Sequence, residues 1–512
     1  MSEHNRRTFL KAVGTAAGSA ALVSGSASAD DGGDGRTRFL IDLDDVSRDE
    51  VPDSVEVVHD ISQIGILAAR GDPDAVPSAS AVTTDVTAYQ DGPVKEHDEE
   101  SQSSGGPAWD SGAPTRTELQ WDKREQRLGH LTERPDNRRV VHDTTKGEGT
   151  RVAVVDSGVY DGHPDLADAV NAELSANYTL DPWDFRPNGA GDHGTHVAGT
   201  IAATNADGEG VLGTAPDTEI VAHRVFSGLP GGGASTGDIL AALADAADKG
   251  CDVANFSVGY TNYDVEENPG LLDIKAMYED LADYAHQQGM TIVNSAGNDA
   301  VDMTPENMLS LPTEAEGIFG VSATGPIGYL WDDKQPSREV KSLKTLAEPT
   351  STPANYTNYG TGVDVSAAGG NYDTSLPEGY YYDLVFSTVV SGDGTDNPTT
   401  GYGWKAGTSM AAPQVAGAYA LVRSLRPDAG PEEVEQLIKD TARSGPGGEQ
   451  YHGAGHLDLR RLVKEASKGG NGKGNGNGKG NGNGKGGGHP GKGKGNGKGK
   501  GNGKGNGKGK GN

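Results

Sequence analysis

Arg151-Val152-Ala153-Val154-Val155-Asp156-Ser157-Gly158 is a short β-branched run that ends on an acid, a serine and a glycine. Such a run predicts a buried strand followed by a tight turn. Outward from it the same rhythm repeats. Glu219–Phe226 reads as a second strand and Cys251–Val258 as a third. Between them, Ile239, Leu240, Leu243, Ala246 and Ala247 recur at helical spacing over Ser235–Lys249, with Ser235 or Thr236 as cap and Gly250 as stop. Leu272, Ile274, Met277, Leu281 and Tyr284 predict another helix over Leu271–Gln288, ending at Gly289. Met290–Val293 then runs as a strand into Asn294-Ser295-Ala296-Gly297-Asn298. Helices alternating with short buried strands indicate βαβ units and an α/β fold with a mostly parallel sheet. Ligands of such sheets bind beyond the carboxyl ends of the strands, where Asp156 and Asn298 fall.

The chain of 512 residues has 44 Lys+Arg against 74 Asp+Glu, a formal net charge of −30. The 11 lysines from Lys468 onward mask part of that excess. Residues 1–467 hold 33 basic groups against all 74 acids, or −41. A polyanion repels phosphate backbones, so nucleic acid is excluded as a partner. No run reaches the ~18 apolar residues of a membrane-spanning helix. The single cysteine, Cys251, excludes an intrachain disulfide and any multi-cysteine metal site, and it reads as a small buried hydrophobe. Only 12 lysines precede residue 468, and this acidity suggests a surface adapted to high salt.

Arg6-Arg7-Thr8-Phe9-Leu10-Lys11, a weakly apolar stretch over Ala12–Val23 and Ala27-Ser28-Ala29 form a charged region, a short apolar region and a small-x-small cleavage site. The paired arginines resemble a twin-arginine signal, which predicts export to the extracellular space; a disordered basic leader is the bland alternative. The Gly/Asn/Lys tail of residues 468–512 has too few apolar groups to fold. Residues 36–90 carry short apolar runs, such as Phe39-Leu40-Ile41-Asp42-Leu43, and a polar stretch follows from Asp91 to Pro114. A small α+β module with a βαβ-like pattern, then a linker, is expected ahead of the main domain.

Three segments carry chemistry. The first is Val154-Val155-Asp156-Ser157-Gly158. The second is Asp192-His193-Gly194-Thr195-His196-Val197-Ala198-Gly199-Thr200. The third is Gly407-Thr408-Ser409-Met410-Ala411-Ala412-Pro413-Gln414-Val415-Ala416-Gly417, and Gly297-Asn298 lies between the last two. Together and in this order they resemble the subtilisin (subtilase) family of serine endopeptidases over roughly residues 119–463. The resemblance begins at Leu119-Gln120-Trp121-Asp122.

It implies a subtilisin-like three-layer α/β fold and a division of roles. Ser409 is the nucleophile, His193 its base, Asp156 the group that orients the imidazole, and Asn298 the oxyanion donor. His196, the second histidine of its segment, becomes a packing residue. Ser257, Val258 and Gly259 match the strand that pairs with substrate backbone, and Ser295, Ala296 and Gly297 the wall of the first specificity pocket. Gly231-Gly232-Gly233-Ala234 stands where the other edge strand begins. Departures include Gln414, Ala412, the proline-free Ser366-Ala367-Ala368-Gly369-Gly370, and insertion-like segments at residues 326–353 and Tyr380-Tyr381-Tyr382. Family members often bind calcium, for which Asp165, Asn205 and Asp207 supply hard oxygen donors.

The implied organisation is a signal at residues 1–29, a propeptide or inhibitor-like domain at 30–90, a linker with the processing site at 91–118, a catalytic domain at 119–467 and the tail at 468–512. The partners implied are polypeptide substrates and the chain's own propeptide, with the enzyme a monomer. Three alternatives remain open: a permanent accessory module, a restricted processing peptidase, and a catalytically silent peptide-binding scaffold.

Overall fold

The computed structural model describes residues 36–88, 94–98, 116–129, 139–205, 208, 210–229, 233–331, 342–394 and 397–469. The signal, most of the linker, Asp207 and nearly all of the tail lie outside them.

Residues 37–84 build a four-stranded antiparallel sheet from β1 (Thr37–Asp42), β2 (Glu56–Ile61), β3 (Ile66–Gly71) and β4 (Val82–Thr84), in the order β2-β3-β1-β4. The expected βαβ pattern is absent among the described residues. The connections are 3₁₀ turns, and Pro52, Pro73 and Pro77 interrupt the stretches in which a helix would have formed. Strand alternation gives this sheet two apolar faces. Phe39, Ile41, Leu67 and Ala69 close the module's own small core, while Leu40 and Ala68 join the core of the main domain. After it come β5 (Thr87–Ala88) and β6 (Lys95–Asp98). The latter lies inside the stretch read as a linker.

The main domain opens with α1 (Arg116–Leu119) and α2 (Trp121–Gln126). Its central sheet comprises β7 (Arg151–Asp156), β8 (Ala176–Asn177), β9 (Glu219–Arg224), β11 (Val253–Phe256), β13 (Thr291–Ser295), β15 (Ile318–Thr324) and β16 (Val363–Ala368). All pairs are parallel, in the order β16-β15-β13-β11-β7-β9-β8. The succession reverses at β7, so a crevice opens at the carboxyl ends of β7 and β11. Val152 and Val154 face one core, Ala153 and Val155 the other. The first core holds α3 (His193–Ala202) and α6 (Thr408–Leu425); the second holds α4 (Thr236–Asp248) and α5 (Gly270–Gln288). This is the three-layer arrangement expected. Ser235 caps α4 by accepting from Asp238 N at 3.2 Å, and Gly289 ends α5 at φ +91°.

Smaller strands border the crevice: β10 (Ala234–Ser235), the pair β12 (Tyr260–Asp264) and β14 (Met308–Leu311), and the hairpin β17 (Val385–Ser391) and β18 (Thr399–Ala406). Helices α7 (Pro431–Thr441), α8 (Glu449–His452) and α9 (Leu459–Gly469) complete the domain. Cys251 is buried and its thiol is pushed up to about 12 by that burial, as a packing residue would be. Among the described residues no helix is long and apolar enough to cross a membrane.

Candidate active site

Asp156 ends β7 and His193 begins α3. The His193 Nδ1 lies 2.9 Å from Asp156 Oδ1 and 3.0 Å from Oδ2, with both side chains buried. Asp156 Oδ1 also accepts from Ser157 N at 2.6 Å, and Ser157 Oγ accepts from Gly194 N at 3.0 Å, which ties the start of α3 to the end of β7. This close approach requires glycine: a Cβ on Gly194 would sit 2.3 Å from the Gly158 carbonyl. His196 turns away. Its Nε2–H donates to the carbonyls of Val385 and Gly403 at 3.2 and 3.3 Å, and burial holds its pKa well below the ordinary value. Only the first histidine of the motif therefore pairs with Asp156.

Ser409 is the second residue of α6, and α3 and α6 pack together. Ser409 Oγ and His193 Nε2 are both buried, and neither has a hydrogen-bond partner among the described residues. Substrate-free catalytic hydrogen bonds are often long and tighten in the complex. Asn298 is oriented by Thr408, whose N–H and Oγ1–H donate to Asn298 Oδ1 at 2.8 and 2.9 Å. Its Nδ2 is thereby left as a buried donor without a partner. A Cβ on Gly407 would lie 3.6 Å from that Nδ2 and 3.7 Å from Ser409 N, so the two donors border one small space. Amides of a helix's first turn have no partner within the helix, which leaves Ser409 N–H available there.

Ser257, Val258 and Gly259 follow β11, and Ser295, Ala296 and Gly297 follow the body of β13. Asn294 Nδ2 clamps the two by donating to Phe256 O and Val258 O at 3.0 and 3.1 Å. Asn358, unread from the sequence, fixes the turn that carries Asn298. Its Nδ2 donates to Ala296 O at 3.0 Å, and its Oδ1 accepts from Asp299 N and Val301 N. Gln414 also gains a role. It accepts from buried Lys123 Nζ at 2.6 Å and donates to Asp122 at 2.7 Å, which ties α2 to α6. Asn358 stands in no motif and Gln414 departs from the one it stands in, so only partners far along the chain reveal their roles.

Thr313 donates to Asn294 Oδ1 at 2.7 Å, and beside it burial pushes the Glu314 carboxyl up to about 7. A carboxyl whose folded pKa exceeds its unfolded one favours the protonated fold, so stability is lost as pH rises from about 4.5 to about 7. Glu314→Gln, whose oxygen can still accept from Ser310 N, is expected to abolish that loss. The variant should be more stable than wild type by about 1 kcal/mol at pH 8, a figure reduced for solvent access to a half-buried group. At pH 4.5 the two should match; denaturation at both pH values checks this.

Of the oxygen donors, Asp165 is buried and its Oδ2 accepts from Val211 N at 2.8 Å and Tyr402 O–H at 3.1 Å. Asn205 Oδ1 accepts from Gly210 N at 2.9 Å, and Gln120 Oε1 from Leu212 N at 2.8 Å. The loop backbone crosses directly over the carboxylate, since a Cβ on Gly210 would lie 2.2 Å from both Asp165 oxygens. Asp165 and Asn205 carry the hard oxygens a calcium ion prefers, and here those oxygens accept from the chain's own N–H and O–H groups. Among the described residues there is no group of three or more His, Cys, Asp or Glu that could hold a metal.

Known proteins resemble this chain over much of its main domain. A family model described as the subtilase family matches residues 147–482. An extracellular protease of Xanthomonas campestris pv. campestris is 31% identical over 347 residues, which cover 61% of this chain and 50% of that protein. Subtilisin Savinase of Lederbergia lenta is 30% identical over 319 residues, covering 62% of this chain and 92% of that protein. The chain thus spans half of the first relative and most of the second. Among solved structures, proteases from Pseudoalteromonas arctica give a TM-score of 0.53 at 28% identity, over 70% of this chain and 100% of that one.

Proposed function

The chain belongs to the subtilase family, and from that premise we propose that it is a secreted, salt-adapted serine endopeptidase. The observations that support this reading are the Asp156–His193 pair and three buried atoms left without a hydrogen-bond partner among the described residues: His193 Nε2, Ser409 Oγ and Asn298 Nδ2. In the reaction His193 Nε2 takes the Ser409 proton as Oγ attacks the peptide carbonyl, then delivers it to the leaving amine. Asp156 holds the Nδ1–H tautomer and stabilises the imidazolium. Asn298 Nδ2 and Ser409 N–H receive the oxyanion. Water then repeats the sequence on the acyl-enzyme.

The N-terminal module acts as a propeptide. Asp85 Oδ1 accepts from Gly237 N at 3.1 Å, Val86 O accepts from Thr236 N at 3.0 Å, and β5 pairs with β10 on the rim of the crevice. Three residues before Ser409, Ala406 O accepts from Val94 N at 2.8 Å. These contacts support a self-processing cut between Ala88 and Val94, at the start of the stretch read as the linker. Export by the twin-arginine route follows from Arg6 and Arg7, and a monomer with polypeptide substrates is the working form.

Fluorophosphonate labelling of the folded wild type, with casein and short peptides as substrates in high salt, tests the reading. Labelling with turnover supports it; a folded chain that neither labels nor cuts is the silent scaffold.

Calcium belongs to the same proposal, held by Asp165, Asn205 and Asp207. Bound there it would clamp the residue 205–211 loop to the body. Chelation is expected to lower the melting temperature by several degrees, with one calcium per chain counted by elemental analysis before treatment and none after.

A further inference from the structure

The strand β6 occupies the edge of β18 in antiparallel register: Lys95 opposite Ala406, Glu96 opposite Lys405, His97 opposite Trp404 and Asp98 opposite Gly403. Because β18 runs toward Ser409 and ends three residues before it, β6 starts beside the nucleophile and leads away. That is the course of a substrate segment downstream of the cut bond.

Side chains alternate along the track, as in any strand. Lys95 Nζ lies 5.7 Å from the Tyr372 ring centroid, and the His97 ring stacks on Tyr381 at 4.2 Å and 14°, with Trp404 at 5.8 Å. Between them Glu96 points to the other side, where its carboxylate meets Lys405 Nζ at 3.0 Å. Lys405 is buried, and Asp192 and Glu96 raise its pKa against the effect of that burial. Glu96 itself is 63% exposed, and the strand is only four residues long. Such an edge strand is weakly held once its link to the upstream chain is cut, and the edge it leaves is a template for another strand.

Resting on the protease reading, we propose that the free edge of β18, with Lys405 on one side and Tyr372, Tyr381 and Trp404 on the other, is an extended downstream recognition track. It takes polypeptides that present an acid followed by an aromatic or imidazole residue a few positions after the cut. The Tyr380–Tyr382 segment is then part of a substrate site. Main-chain pairing supplies affinity along this edge, and the cross-strand charge pair and ring stack supply selection.

The test uses the mature enzyme and quenched peptides that share one upstream half. Their downstream halves are a two-residue stub, Lys-Glu-His extended, Gly-Ser extended, and Lys-Lys-His extended. The Lys-Glu-His peptide is expected to show a KM at least tenfold below the stub and the Gly-Ser peptide, with kcat little changed. The Lys-Lys-His peptide should lose most of the gain. Tyr381→Ala should remove several-fold of the gain, read as the ratio of the Lys-Glu-His KM to the stub KM within that variant. Equal KM values across the four peptides overturn the track, as they would if β6 stayed in place. Failure to cut any peptide, the stub included, overturns the protease reading beneath it.

Discussion

Full-length chain carrying Ser409→Ala is expected to remain one uncut polypeptide for as long as it is followed, while the wild type sheds its N-terminal module. Intact mass in high salt reads this directly. The argument is geometric. Ser409 Oγ is the buried hydroxyl at the head of α6, beside the unengaged Asn298 Nδ2. Alanine removes the nucleophile and leaves both oxyanion donors in place. The rate should fall about 10⁶-fold, as it does when subtilisin itself loses its nucleophile. The N-terminal module should stay bound, because β5 on β10 and Asp85 on Gly237 N do not involve the serine. The wild-type cut should fall between Ala88 and Val94. A Ser409→Ala chain that is cut there at the wild-type rate would remove Ser409 from the chemistry.

Much of this arrangement was legible in the sequence. The strand of Arg151–Asp156 and the helices on either side of Cys251 announce themselves by periodicity, and the motifs around His193, Asn298 and Ser409 by their resemblance to the subtilisin family. What stayed hidden depends on partners far away in the chain. The strand Lys95–Asp98 has no apolar alternation and was read as linker. It exists because β18, some three hundred residues later, offers hydrogen bonds, Lys405 and an aromatic face. The β17–β18 hairpin went unread, and the adjacent tyrosines looked like surface. In the structure Tyr381 and Tyr382 pack with Trp404 and close part of the core. Asn358 and Gln414 were illegible for the same reason. A polar residue's role is set by the backbone groups it reaches, and those come from distant segments.

Arg38→Met carries the second large effect and concerns how the two domains hold each other. Arg38 is fully buried. Its Nε donates to Asp85 at 3.0 Å and its Nη2 to Asp238 at 2.6 Å, while His59 Nε2 lies 2.7 Å from the same Asp238 oxygen. Asp238 belongs to α4 of the main domain, so one guanidinium joins a carboxylate from each side of the boundary. The Asp85 carboxyl is pushed up by burial even with Arg38 beside it. Methionine fills the volume but leaves two carboxylates buried without their cation. Breaking such an arrangement costs about 3–5 kcal/mol, more than the pair itself contributes. The measurement is denaturation of the uncut Ser409→Ala chain, at 1 M and at 4 M salt. Exposed pairs such as Arg36–Glu56 weaken with added salt, but a charge cluster sealed from solvent does not. The loss should therefore be similar at both salts, and adding Asp85→Asn and Asp238→Asn should restore much of it. A loss below about 1 kcal/mol at both salts would mean that this cluster does not lock the module to the body.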